Sequence, residues 1–161
     1  MPKTLPVVEN PTLDATDLAL LRILEGNARI SVKELAQKVH LSATPVHERL
    51  KRLEASGVIK SYAAVLDARK LGKSLMVICY VSLKQHSKKA GTQFIKAIGA
   101  LDAVVECLTI SGNFDFMLKV ICANMDDYYH FHVHELSAID NVGNVQSTFV
   151  MGVVKQSYRL L

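Results

Sequence analysis

The chain is short of cysteine: among 161 residues only Cys79, Cys107 and Cys122 carry a thiol. Their number is odd, their spacing is wide, and no Cys-x-x-Cys occurs, which argues against a cysteine zinc site. All three lie in apolar, strand-like runs and read as small buried hydrophobes in a reducing cytoplasm. No apolar run reaches the ~18 residues of a membrane span, and no signal-peptide pattern opens the sequence. The expectation is a soluble, cytoplasmic protein with no membrane partner. Proline is nearly confined to the start, where Pro2, Pro6 and Pro11 leave only Pro45 for the rest. Internal repeats and low-complexity tracts are absent. So are paired carboxylates and any nucleophile–base pair, so no catalytic residue and no cofactor is assigned.

What is present is a hydrophobic half, enough to build a packed core. The net charge of +4 is unevenly placed. Residues 1–74 hold 12 Lys/Arg against 8 Asp/Glu, whereas residues 75–161 hold 7 of each. A local basic excess is what a polyanion binder needs. The chain divides accordingly. Residues 1–12 read as a flexible arm, 13–60 as a helical domain, 61–73 as a linker strand, and 74–161 as a second domain.

Three helices are punctuated within the first domain. Asp14 can cap the first and Asp17 suits its positive end; the helix stops near Gly26-Asn27. Ser31-Val32-Lys33-Glu34 is a capping box for the second. A short turn, His40-Leu41-Ser42, leads to the third, where Pro45 removes only an amide that had no partner. Two helices with so short a turn have the spacing of a helix-turn-helix. On the third helix Val46, Leu50 and Leu53 face inward. The opposite arc carries Thr44, Glu48, Lys51, Arg52 and Ala55, with His47 and Arg49 at its edges. Lys51 and Arg52 suit phosphates, while Thr44, His47 and Arg49 are donors near the helix start, where base edges are read.

Beyond the linker, Val77–Leu83, Val104–Ile110, Phe114–Cys122 and Val145–Val154 read as strands, with helices at 88–100 and 126–139. The order β-α-β-β-α-β is ferredoxin-like. Both faces of the first and third strands are apolar: Val77, Cys79, Val81 and Leu83 oppose Met76, Ile78 and Tyr80. One face has no cover within the chain, so another subunit is expected to supply it. The Ser111-Gly112-Asn113 turn has a plain use as a hairpin, with Gly and Asn supplying positive φ. It could also admit a ligand, its free amides meeting a carboxylate and Asp115 an ammonium group. His130, His132 and His134 suggest a metal, but on a helix they fall on different sides, so no metal site is assigned.

Taken together, these residues resemble the Lrp/AsnC family. The resemblance rests on Leu13-Asp14-x-x-Asp17, Ala28-Arg29-Ile30-Ser31, Glu34-Leu35-Ala36, Leu41-Ser42-x-x-Pro45-Val46-x-x-Arg49 and Leu53-Glu54-x-x-Gly57-Val58-Ile59-x-x-Tyr62. It continues in Ser111-Gly112-Asn113-Phe114-Asp115-Phe116 and in Val154-Lys155-Gln156-Ser157-x-Arg159-Leu160. It implies an α+β fold: an N-terminal winged-type helix-turn-helix and a C-terminal ferredoxin-like, ACT-like domain for effector binding and oligomerisation. It implies a cytoplasmic transcription regulator that binds double-stranded DNA through Ser42, Thr44, His47, Arg49, Lys51 and Arg52. It further implies an amino-acid effector at subunit interfaces, held by Ser111, Gly112, Asn113, Phe114, Asp115, Met125, Thr148 and Phe149. The C-terminal similarity to the leucine-responsive member makes leucine or methionine the first guess. The resemblance also implies a homo-oligomer, a dimer or an octamer.

Two other readings compete. Some similar proteins decarboxylate a haem precursor with basic and histidine residues of the C-terminal domain, and a metabolite-binding module without DNA activity would share the architecture. The N-terminal basic excess and the Lys51–Arg52 arc favour the regulator.

Overall fold

The computed structural model describes residues 11–161. Most of the arm read at residues 1–12 lies outside them. The chain forms two compact units. One holds the residues up to Val65 together with Lys155–Leu161; the other is Leu66–Val154.

The first unit has three helices: α1 Ala15–Gly26, α2 Val32–Lys38 and α3 Ala43–Ala55. Each start follows from local chemistry. The Asp14 carboxylate accepts from the Asp17 amide at 2.8 Å, and the Asp17 carboxylate accepts from the Asp14 amide at 3.1 Å. Ser31 and Glu34 make the same reciprocal pair for α2. Between them these contacts satisfy four amides that a helix start leaves without partners. α2 ends where His40 turns left-handed, at φ 56. The Leu41 amide then donates to the Ala36 carbonyl and the His40 amide to that of Gln37, the paired bonds of a Schellman ending. This turn aims α3 away from α2 while Leu20, Leu35, Ala36, Val46 and Leu50 close a shared core.

The tail belongs to this unit. Glu25 accepts backbone hydrogen bonds from Leu160 at 2.6 Å and Leu161 at 3.2 Å. The sequence places these last residues in the second domain; in the structure they pack with the first unit, through contacts that leave no local signal. The linker strand expected at 61–73 is also revised. Residues 60–68 join no ladder, and Arg69–Leu71 is a short 3-10 turn.

The second unit is a four-stranded antiparallel sheet, β1 Leu75–Leu83, β2 Val104–Thr109, β3 Phe116–Cys122 and β4 Val142–Phe149, in the order β2-β3-β1-β4. Helix α4 Lys88–Ile98 and the segment beginning with α5 Met125–His130 cover one face. This is the ferredoxin-like arrangement the element order predicted. Val77, Cys79, Val81 and Leu83 of β1 and Phe116, Leu118, Val120 and Cys122 of β3 are buried against Phe94, Ile98, Tyr128, Phe131 and Leu136. Burying one such aromatic or aliphatic side chain contributes about 1.5–3 kcal/mol.

Several details differ from expectation, beyond shifts of one or two residues at the ends of β1, β2 and β3. β4 begins three residues early and ends at Phe149, its register on β1 running from Leu83 back to Val77. The helix expected at 126–139 changes character at Phe131, running as a π-helix to Leu136. Phe131 and Leu136 are both buried and five positions apart, a separation that the wider π turn brings onto one face. Cys107, read as buried, is exposed on the edge strand β2.

Candidate functional site

Helix α3 presents the surface that the arc of polar residues predicted. Ser42, Thr44, His47, Glu48, Lys51 and Arg52 are exposed, and Val46, Leu50 and Leu53 are buried. Ser42 sits at the N-cap with extended backbone, yet its hydroxyl makes no capping bond. The first turn of α3 therefore combines unpaired amides, an uncommitted hydroxyl and the positive pole of a 13-residue helix. Such an end accepts a phosphate, and Lys51 lies two turns further along the same arc.

Arg49 and Arg52 are engaged differently. Arg49 Nη1 lies 2.5 Å from Asp14 Oδ2 and 2.8 Å from Asp17 Oδ1, and Arg52 Nη2 lies 2.5 Å from Asp17 Oδ2. The Asp17 side chain is completely buried, that of Arg49 is 27% exposed and that of Arg52 is 56% exposed. Asp17 is the buried charged residue of this core. A buried carboxylate stripped of its partners costs about 3–5 kcal/mol, so the two guanidinium groups are needed where they are. Hydrogen bonds from the Asp17 amide and from Arg49 hold the Asp14 carboxyl below the usual carboxylate range. Bonds to Asp14 and Asp17 hold the Arg49 guanidinium charged more firmly than usual. Arg49, expected on the DNA face, thus points back to α1. Asp17 was read from sequence only as a residue suited to the helix start; its part in the pairing was missed.

Beside α3 an open cleft of about 290 Å³ is lined by Leu24, Ile30, Leu35 and Leu50 together with His47, Lys51, Glu54 and Tyr62. The Tyr62 hydroxyl donates to Glu54 at 2.9 Å, and burial together with that carboxylate pushes its pKa up to about 12. This anchors the first residues after α3.

In the second unit the Ser111–Asp115 loop joins β2 to β3. Gly112 has φ 121, a conformation that glycine adopts freely; Asn113 does not share it. Ser111, Gly112 and Asn113 are exposed. Among the described residues no acceptor meets their three amides, while the neighbouring Ile110 and Asp115 amides donate to Asp115 and Val81 carbonyls. Asp115 is already occupied: Oδ2 accepts from the Leu83 amide at 2.7 Å and Oδ1 lies 3.1 Å from His86 Nδ1. Its expected role toward a ligand ammonium is therefore shared with a structural one. Phe114 packs on Tyr80, ring centroids 5.5 Å apart.

The other expected effector residues lie elsewhere. Thr148 and Phe149 pair with Ile78 and Val77, whereas the loop meets β1 at Val81, about 10–13 Å along the strand at roughly 3.3 Å per residue. Thr148 and Phe149 also point to opposite faces of the sheet, and Phe149 is spent in an edge contact on Tyr128 at 5.4 Å. Met125 follows the far end of β3, roughly 20 Å from the loop by the same rise. One chain therefore does not gather the eight residues into one pocket.

Two other clusters complete the inventory. Cys79 Sγ, Tyr128 Oη and Ser147 Oγ form a buried chain of contacts of 3.2 and 2.5 Å, and burial pushes the Cys79 thiol up, leaving it inert. The His130 and His134 rings lie 4.9 Å apart, with His130 Nδ1 3.6 Å from Glu135. The described residues hold no group of three or more side chains placed for a metal.

Comparison with known proteins covers both units. A family model described as winged helix-turn-helix DNA-binding matches residues 13–60, and one described as the Lrp/AsnC ligand binding domain matches residues 76–160. The leucine-responsive regulatory protein of Haemophilus influenzae is 38% identical over 148 residues, covering 92% of this chain and 89% of that protein. Its counterpart in Escherichia coli strain K12 is 36% identical over 149 residues, 92% of this chain and 91% of that one. Among solved structures, a transcriptional regulator of Neisseria meningitidis in complex with L-Met superposes with a TM-score of 0.87 at 31% identity, covering 93% of this chain and 97% of its own. An AsnC family transcriptional regulator of Agrobacterium tumefaciens gives 0.86 at 30% identity, covering 92% and 97%.

Proposed function

Because the chain belongs to the Lrp/AsnC family of DNA-binding transcription regulators, a non-enzymatic family whose C-terminal domain binds amino acids, we propose that it acts in the cytoplasm as a regulator responding to leucine or methionine held between copies of itself. The observation that carries the proposal is the division of the effector residues. The three unmet amides of Ser111–Asn113 suit a carboxylate, but Thr148 and Phe149 lie further along β1 and Met125 beyond the far end of β3. Two chains placed against each other could join one group to the other. The names of the relatives favour the same ligands: one is solved with L-Met and others are called leucine-responsive.

Assembly has its own support. Met76, Ile78 and Tyr80 on β1 and Met117 and Ile121 on β3 stand, with Lys119 among them, on the sheet face away from the helices. A soluble chain rarely leaves such a patch uncovered, and a dimer, itself the building block of an octamer, covers it symmetrically. On the DNA side, Ser42, Thr44, His47, Lys51 and Arg52 form the contacting set. The mechanism is linkage: an effector that binds one assembly better than another shifts the spacing of paired α3 helices and hence DNA affinity.

The test is a DNA titration of the full-length protein at two salt concentrations, with leucine, with methionine and with neither. Salt-sensitive binding shifted by one of the two is expected. Binding that ignores both, while another amino acid shifts it, would overturn the choice of effector. A response to no amino acid would overturn the ligand-gated reading.

A further inference from the structure

The pairing of α3 with α1 divides two arginines that look equivalent on the helical wheel. Both fall on or beside the exposed arc, and both lie within hydrogen-bond reach of the same carboxylate. Their surroundings differ. Arg49 spends Nη1 on Asp14 and Asp17 together and is mostly covered. Arg52 spends Nη2 on Asp17 alone and keeps more than half of its side chain in solvent. A guanidinium carries five donors in a planar fork, so Arg52 retains donors on the side away from Asp17.

We propose that the buried Asp17 is the positioning residue of the DNA-reading helix: it withdraws Arg49 from the DNA face as a strut between α3 and α1, and holds Arg52 with its free donors directed outward to a backbone phosphate. The geometry supports both halves. Asp17 has no exposed surface and is itself fixed by its bond to the Asp14 amide, so its two oxygens are rigid reference points. A flexible arginine would lose rotamer freedom on meeting a phosphate; one already held by a buried carboxylate has lost it beforehand. The same carboxylate is too deep to repel DNA by contact. The inference rests on the reading of α3 as the DNA-contacting helix, and adds which cations do the contacting and what orients them.

The experiment compares full-length wild-type protein with R49Q, R52Q, D17N and the D17N/R52Q double variant. Folding is followed by circular dichroism, and binding to a mixed-sequence DNA duplex by titration over a range of salt. Each phosphate contact contributes about 0.9 to the slope of log affinity against log salt. R52Q is expected to make the slope shallower by about one contact per chain, with R49Q leaving it as in the wild type. D17N, folded, is expected to weaken binding several-fold and to add nothing further in the R52Q background, because Arg49 stays tied to Asp14 and the effect passes through Arg52. A merely structural role for Asp17 would weaken D17N and D17N/R52Q by equal factors relative to their parents, and would overturn the proposal. Equal loss of slope in R49Q and R52Q would overturn it as well. Should D17N not fold, the two arginine variants decide alone. Wild-type protein that fails to bind the duplex in low salt would instead refute the reading of α3, and the inference with it.

Discussion

At the residue scale, the most informative side chains are those whose direction no local pattern sets. Helical periodicity placed Arg49 near the exposed arc of α3, and that is where its backbone lies. Its guanidinium turns inward because Asp14 and Asp17 wait there, 35 and 32 positions earlier in the chain. Such pairing yields an acid-sensitive contact. Asp14 has its carboxyl held below the usual range, so its contribution to stability is present in full above the ordinary carboxylate pKa, near 4, and is lost as pH falls through the lowered value. The urea midpoint of the first unit is expected to drop on acidification, and D14N to flatten that part of the profile. An unchanged acid limb in D14N would refute this assignment. His40 gives a second prediction. Its left-handed φ of 56 costs an L-residue about 1 kcal/mol relative to glycine. His40→Gly is expected to raise stability by about that amount in urea unfolding; a loss of stability would mean that the imidazole makes a compensating contact.

At the element scale, helix starts were the most legible feature. Asp14 and Ser31 stand at the expected N-caps, because capping needs only residues within one turn of each other. The faces of β1 and β3 were legible for a similar reason, since alternation is a local property. The limits of β4 were not, because its pairing is with β1, far away in the chain. Nor was the split of the effector residues: Ser111–Asp115 and Thr148–Phe149 look like one set until the β1–β4 register places them apart. That register is itself guarded by a glycine. A Cβ on Gly143 would come within 3.1 Å of the Ser82 carbonyl oxygen and 3.2 Å of the Lys84 amide nitrogen, where β1 and β4 slip by one residue between Ser82 and Leu83. Both obstacles are backbone and cannot swing aside. Gly143→Ala is expected to destabilise the second unit by about 1–3 kcal/mol, seen as a lower thermal midpoint and faster amide exchange along β4. An unaltered midpoint would show that the bulge opens freely.

At the scale of the whole molecule, the open face of the sheet makes the strongest demand. Ile78 of β1 and Ile121 of β3 share it with Tyr80 and Met117. Replacing both isoleucines by lysine places two charges where an apolar cover is proposed, without touching the helix-covered core. The double variant is expected to sediment as a monomer with native circular dichroism, and the parent protein as a dimer or larger. A variant that remains assembled would move the interface elsewhere.

The clasp between Glu25 and the last two residues has a consequence for limited proteolysis. The polypeptide passes from the helical unit to the sheet unit near Val65 and returns near Val154. A protease that nicks the exposed stretch at 60–67 severs only the outgoing passage. The nicked molecule should still migrate as a single species under native conditions and release two fragments only in denaturant. A second cut, beyond Phe149, would be needed before the halves part.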